Sequence, residues 1–219
     1  VAMAAAVTKF AVVSLKEFAV FEKGMLEVFT LLPGVSKREM GKMTADVLKL
    51  SRTMGLLTTD IVPALYQAIS AGVPKENVIK FMRVASKAAI AGVTTLETAV
   101  DGLTSVINAY GKENMTAKKA ADIMFTTVRL GKTTFEELAA SLYNVTPVAA
   151  AVGISFEDVT AAIAALTAQG VPTAQATTQI RSAILSLTAP SEKARKIAKL
   201  LGLDFEKLTA ILAQPGGCD

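Results

Sequence analysis

The feature that most constrains this chain is its punctuation by glycine. Gly72, Gly92, Gly111, Gly131, Gly153, Gly170 and Gly202 recur, and among the first six the spacing stays near twenty residues. Most are followed by an apolar residue: Val73, Val93, Ile154, Val171 and Leu203. A glycine just past a helix takes the left-handed conformation at little cost, and an apolar residue after it packs back on the last turn. Helix-start residues follow. Thr94-Thr95-Leu96-Glu97 and Thr133-Thr134-Phe135-Glu136 have the form of capping boxes, and Ser155-Phe156-Glu157-Asp158 is a weaker version. Pro74 and Pro172 suit a first helical turn. Joints are therefore expected above all at Gly72, Gly92, Gly131, Gly153 and Gly170. Joints this short force consecutive helices to be neighbours.

The segments between the joints carry helical periodicity. Leu96, Val100, Leu103, Ile107 and Tyr110 fall on one stripe, as do Phe156, Val159, Ile163 and Leu166. Ser36-Lys37-Arg38-Glu39 is a full capping box, with Val35 and Met40 placed as a hydrophobic staple. Met40, Met43, Val47, Leu50 and Met54 continue that stripe, and core packing is the expectation for these methionines over an adaptable binding groove. No alternation is long enough to argue for a strand. The fold class is all-α: a long N-terminal helix to Leu32, then about ten shorter helices joined by tight glycine-containing turns. The shorter helices are expected near 36–53, 59–71, 74–91, 94–110, 116–130, 134–145, 155–169, 173–187, 191–201 and 205–213, with Pro147 breaking or kinking the chain before Gly153. Residues 1–32 form the apolar lead helix, 33–213 the helical core region and 214–219 a flexible tail.

Hydrophobic residues make up 52% of the chain and aromatics only 5%, so the helices pack through Ala, Leu, Val, Ile and Met at close approach. The chain opens at Val1 in full helical pattern, as a piece of a longer polypeptide would. Its first stretch carries Lys9, and is too short and interrupted for a transmembrane span. It also lacks the basic start and cleavage site of a signal peptide. Ala4, Ala5, Ala6, Ala11, Val12, Leu15, Phe18, Ala19, Phe21 and Met25 leave this helix little polar surface, so other copies or further sequence should cover it.

Chemistry is sparse. Histidine is absent, which removes the commonest general base and metal ligand, and with them Ser–His–Asp and Cys–His systems. The only cysteine, Cys218, cannot form an internal disulfide. There is no phosphate-binding glycine loop, dinucleotide fingerprint or zinc-ligand spacing. The carboxylate pairs Glu136-Glu137 and Glu157-Asp158 sit at helix starts, where negative charge suits the helix dipole. Lys193, Arg195, Lys196, Lys199 and Lys207 cluster near the C-terminus, with Glu192 four residues before Lys196; a solvated face is the expectation, and phosphate or membrane-surface contact the alternative. The net charge of +4 is no nucleic-acid signature. No catalytic, cofactor-binding or metal-binding residue is assigned.

An ordered series of short elements carries a resemblance. It begins with Tyr66-Gln67-Ala68-Ile69-Ser70-Ala71-Gly72 and Ala88-Ala89-Ile90-Ala91-Gly92, the latter followed by Thr95 and Glu97. Leu103-Thr104 then leads to Asn108-Ala109-Tyr110-Gly111, and Gly131-Lys132-Thr133-Thr134-Phe135-Glu136-Glu137-Leu138 comes next. Val145-Thr146-Pro147, Ala149-Ala150 and Gly153-Ile154-Ser155 precede the alanine-rich run Ala161 to Gly170, then Thr177, Arg181 and Pro190-Ser191. No single element is specific, but their order from about Leu50 to Gly202 resembles the core region of phage tail tape measure proteins, the family typified by lactococcal phage tails.

The resemblance implies a long, mostly helical structural protein of the virion tail, of which some members carry peptidoglycan-cleaving domains elsewhere in the chain, although nothing in these residues resembles one. Such proteins occupy the tube lumen in several copies, set tail length during assembly, and leave ahead of the DNA at infection, some aiding genome passage through the envelope. The implied partners are other copies, the tail tube protein, tail-assembly chaperones and tail tip proteins, with host membrane and DNA in passing and no small-molecule substrate. The competing class is a membrane-active or pore-forming helical domain, against which stand charges in nearly every helix. An enzyme lacks the residues, and a generic helical scaffold would not explain the ordered series.

Overall fold

The computed structural model describes residues 2–202, Asp204 and Lys207, with side chains from Lys16 onward. Lys207 apart, the expected helix at 205–213 lies outside the described residues, as do the tail at 214–219 with Cys218 and the side chains from Ala4 to Leu15. The regular elements among the described residues are all helices. First come α1 (Ala2–Thr30), α2 (Lys37–Met54), α3 (Thr58–Ser70) and α4 (Val78–Ala91). Next are α5 (Leu96–Tyr110), α6 (Ala117–Leu130) and α7 (Phe135–Ser141), followed by a 3-10 turn over Leu142–Asn144. Last are α8 (Thr146–Ala151), α9 (Phe156–Ala168), α10 (Thr173–Thr188) and α11 (Glu192–Leu200).

Packing sorts these helices into two layers. α1, α3, α5, α7 and α10 lie side by side in one, each against the next, while α2, α4, α6 and α9 do the same in the other. The first layer advances by a fixed step. α3, α5, α7 and α10 begin at residues 58, 96, 135 and 173, a step of about 39 residues. In the second layer α4, α6 and α9 begin at residues 78, 117 and 156. Buried positions repeat with that step: Leu65, Leu103 and Leu142 in one layer, Phe81, Ala120 and Val159 in the other. So do the polar cross-links. Asn108 Nδ2 donates to the Ala71 carbonyl at 3.0 Å, 37 residues away. Lys75 meets Glu39 at 3.1 Å, 36 residues away. Lys112 Nζ donates to the Gly72 carbonyl, 40 residues away. The molecule is thus a helical solenoid built of stacked helix pairs. The near-twenty spacing of the glycines marks single helices, half of the structural step.

Several local expectations shift. Pro74 lies in a turn closed by Asn77 N–H to the Pro74 carbonyl, so α4 begins at Val78 and not at 74. Pro172 is the residue before α10, not one within its first turn. The helix expected over 134–145 divides at Ser141, and α8 follows with Pro147 in its first turn. The caps of α5 and α7 are Thr95 and Thr134, one residue later than the boxes drawn from sequence, and Glu137 rather than Glu136 closes the second box. The boxes fail by one residue because adjacent threonines offer equivalent hydroxyls. Ser36 and Glu39 do form the expected box at α2, and Ser155 caps α9.

The joints also divide in kind. Gly72 and Gly170 are left-handed, at φ 86° and 94°. Gly92 is not: its φ is −85°, and Val93 takes the left-handed place at φ 51°. A Cβ at Gly92 would lie 2.7 Å from Phe135 Cβ and 2.8 Å from the Ala88 carbonyl oxygen. Gly131 is extended, at φ −102°, and a Cβ there would come within 2.9 Å of Ala164 Cα. At these two joints glycine is needed for close helix approach and not for left-handed backbone. Gly102, in mid-helix, plays the same part between α5 and α7, since its Cβ would lie 2.6 Å from Ala139 Cβ.

Candidate interaction surfaces

Three of the four carboxylates singled out in the sequence have a structural occupation. Glu137 accepts from the Thr173 hydroxyl at 2.9 Å and from the Thr134 backbone N–H at 3.4 Å, tying the start of α7 to the start of α10. Its neighbour Glu136, exposed like it, takes no part in these bonds. Glu157 pairs with Lys119 at 2.7 Å, joining α9 to α6. Burial pushes the Glu157 carboxyl up, but the Lys119 hydrogen bond, a backbone hydrogen bond and the Lys119 charge outweigh it, leaving the pKa below the ordinary range. Asp158 accepts from the Ser155 hydroxyl at 2.6 Å. Tyr110 packs on Phe156, and burial, then the charges of Glu157 and Asp158, push its phenol pKa up. None of these groups is arranged as an acid–base pair. Among the described residues no cluster of three or more metal-ligating side chains occurs.

The interhelical roles of Glu137 and Glu157 were not visible in sequence, where both read only as first-turn acids. Thr173 and Lys119, the partners that reveal them, stand in helices one step away. The methionine stripe is mixed: Met43 is buried, while Met40 and Met54 are partly so. Lys193, Arg195, Lys196 and Lys199 are all exposed on α11.

Surface features fall at the ends and in shallow grooves. On α1 only Phe21, Met25 and Val28 are buried among the described side chains, and α3 is the one helix it packs against substantially. Lys16 to Val20 are all exposed, Phe18 and Val20 included. An open groove of about 710 Å³ runs between α1 and α3, bordered by Val20, Gly24, Pro63 and Tyr66. A second, of about 420 Å³, lies between α6 and α9 beside the Lys119–Glu157 pair. Both are open clefts, unlike the enclosed sites that hold small ligands. No helix among the described residues is long and apolar enough to cross a membrane.

Comparison with known proteins supplies what the geometry lacks. Residues 44–216 match the family described as phage-related minor tail protein. A probable tape measure protein of Clostridium phage phiCD119 is 36% identical over 185 residues, covering 83% of this chain and 20% of that protein. The tape measure protein of Pneumococcus phage Dp-1 is 24% identical over 197 residues, covering 90% of this chain and 17% of its own. The chain therefore spans about a fifth of the length of these relatives. No solved structure matches it. The chain belongs to the phage-related minor tail protein family, as a region of a phage tail tape measure protein.

Proposed function

We propose that this region is the folded, non-measuring part of a protein that sets tail length, and that helical sequence flanking the stack does the measuring. The observation that carries the reading is the difference in reach between α1 and the solenoid. A helix advances about 1.5 Å per residue, so 39 residues of it span about 58 Å. The same 39 residues folded as one solenoid step advance by one interhelical distance, about 10 Å. The stack is a poor ruler and α1 a good one. α1 also leaves the stack with its Lys16–Val20 stretch exposed, as a helix destined for other copies or further chain would.

The region then acts as a structural component of the tail, without catalytic activity. Its copies would occupy the tube lumen or a tail end and meet the tube protein, assembly chaperones and tip proteins. They would leave ahead of the DNA, touching host membrane and DNA in passing. Tail length in phage carrying edited versions of the full-length protein tests the division of labour. Each heptad inserted in the α1 region should lengthen the tail by about 10 Å. Duplicating the step 92–130 should change length by no more than a similar amount, although it adds many more residues. Tails lengthened by about 58 Å on duplication, together with heptad insertions that leave length fixed, would refute the reading.

A further inference from the structure

The two outer faces of the stack carry opposite charge. α4 and α6 expose Lys80, Arg83, Lys87 and Arg129, none of which has an ion-pair partner among the described residues. The single carboxylate on these two helices is Asp122, and Lys118 holds it at 2.6 Å. On the other layer, α3, α5 and α7 contain no Lys or Arg at all. They expose Asp60, Glu97, Asp101 and Glu136, likewise without ion-pair partners among the described residues. Side chains on one layer cannot reach carboxylates on the far side of the other, so the fold keeps these charges apart.

We propose that copies of this chain associate face to face, the α4/α6 basic face of one copy lying on the α3/α5/α7 acidic face of the next. The inference is independent of which part measures length. Of these charges only Glu97 and Glu136 recur with the step, and Asp122 stands in α6 where α4 has Arg83, so the complementarity rests on the opposite sign of the two faces and not on matched rows. Exposed ion pairs contribute little each, so the charges set orientation more than affinity. Exposed apolar residues stand on the same helices: Ile90, one turn from Lys87, and Leu130 in the basic layer, Tyr66 in the acidic one. The contact uses two different surfaces and is heterologous, so the assembly closes into a ring where the rotation between copies allows it and otherwise grows.

Sedimentation velocity on the 219-residue chain tests this at about 0.02 M and about 0.5 M salt, where screening lengths differ several-fold. Two neutralised variants are needed, Lys80→Gln/Arg83→Gln/Lys87→Gln and Asp60→Asn/Glu97→Gln/Asp101→Asn. All six positions are exposed, and circular dichroism should show both variants folded. The wild-type chain should associate at low salt and dissociate at high salt. Each variant alone should self-associate about tenfold more weakly. Mixed together, the two variants should form a one-to-one pair that grows no further, because one intact basic face meets one intact acidic face. Association that persists at high salt and in both variants would overturn the proposal. So would a wild-type chain that stays monomeric at low salt while retaining duplex DNA through Lys80, Arg83 and Lys87, since the basic face would then serve a polyanion.

Discussion

α5 and α11 carry similar instructions and meet different fates. Each has an apolar stripe at helical spacing and a threonine or serine cap, Thr95 for one and Ser191 for the other. α5 buries eight residues, from Leu96 to Ile107, because α3 and α7 flank it in its own layer and α4 and α6 cover it from the next. α11 buries only Ala198. Its Leu200 and the Leu201 that follows it are exposed although they are as apolar as anything in α5. Amphipathic pattern thus decides that a helix has a face to bury, while position in the stack decides whether anything covers it.

The largest test of that contrast is a matched truncation. Leu103→Ala at the centre should lower unfolding free energy by about 2–5 kcal/mol, as expected for a fully buried leucine, and Leu200→Ala should change it by less than about 0.5 kcal/mol. Chemical denaturation of the two variants measures both. Equal losses would mean that α11 is packed in solution and that the ends of the stack are no looser than its middle.

A sharper version uses two adjacent residues at one joint. Gly92→Ala should destabilise by about 1–3 kcal/mol, because its Cβ would press on Phe135 and on the Ala88 carbonyl. Val93→Gly should stabilise by about 1 kcal/mol, since Val93 is 89% exposed and gives up little contact when its left-handed strain is relieved. Thermal melts of the pair should move in opposite directions. Shifts of the same sign would mean that backbone conformation, and not helix approach, governs this joint.

The smallest effect concerns the edge of the stack. The Ser36 backbone N–H, then the Ser36 hydroxyl and Lys75, hold the Glu39 carboxyl down to about 2 from an ordinary 4.5. A depressed carboxylate adds stability above its unfolded pKa and loses it as pH falls through the folded one. The gap in melting temperature between the wild-type chain and Glu39→Gln should therefore be open at neutral pH and close between about pH 4.5 and 2. Glu39 is exposed, so the gap should be small, and one that widened on acidification would contradict this account of the cap.

The helices were largely legible because glycine, cap and stripe agree at most of them. The step was harder to see. Leu65, Leu103 and Leu142 recur as the same residue, but Ile61, Ala99 and Leu138 occupy equivalent buried places with quite different volumes. A stack tolerates such exchange when neighbours compensate, so residue identity fades while position persists. The glycines at Gly92, Gly131 and Gly170 do mark the step, but one letter serves two causes there. At Gly170 it supplies left-handed backbone, whereas at Gly92 and Gly131 it makes room for Phe135 and Ala164. Sequence shows that a side chain is missing without showing whether the backbone or a neighbour required it. The oppositely charged faces escaped notice for a related reason. A net charge of +4 averages over two layers that only folding separates.

Every substantial contact in the stack joins helices within one step or in adjacent steps. Under tension applied at one terminus, such an array has no contact spanning its whole length to share the load. It should yield one step at a time, each rupture freeing about 39 residues, or up to about 130 Å of extended chain. Peak force would be set by a single interface and would not rise as steps are added. Length would instead determine how far the terminus travels before the last helix pair gives way. A sawtooth trace with evenly spaced teeth is the mechanical signature expected when this chain is drawn out by its ends.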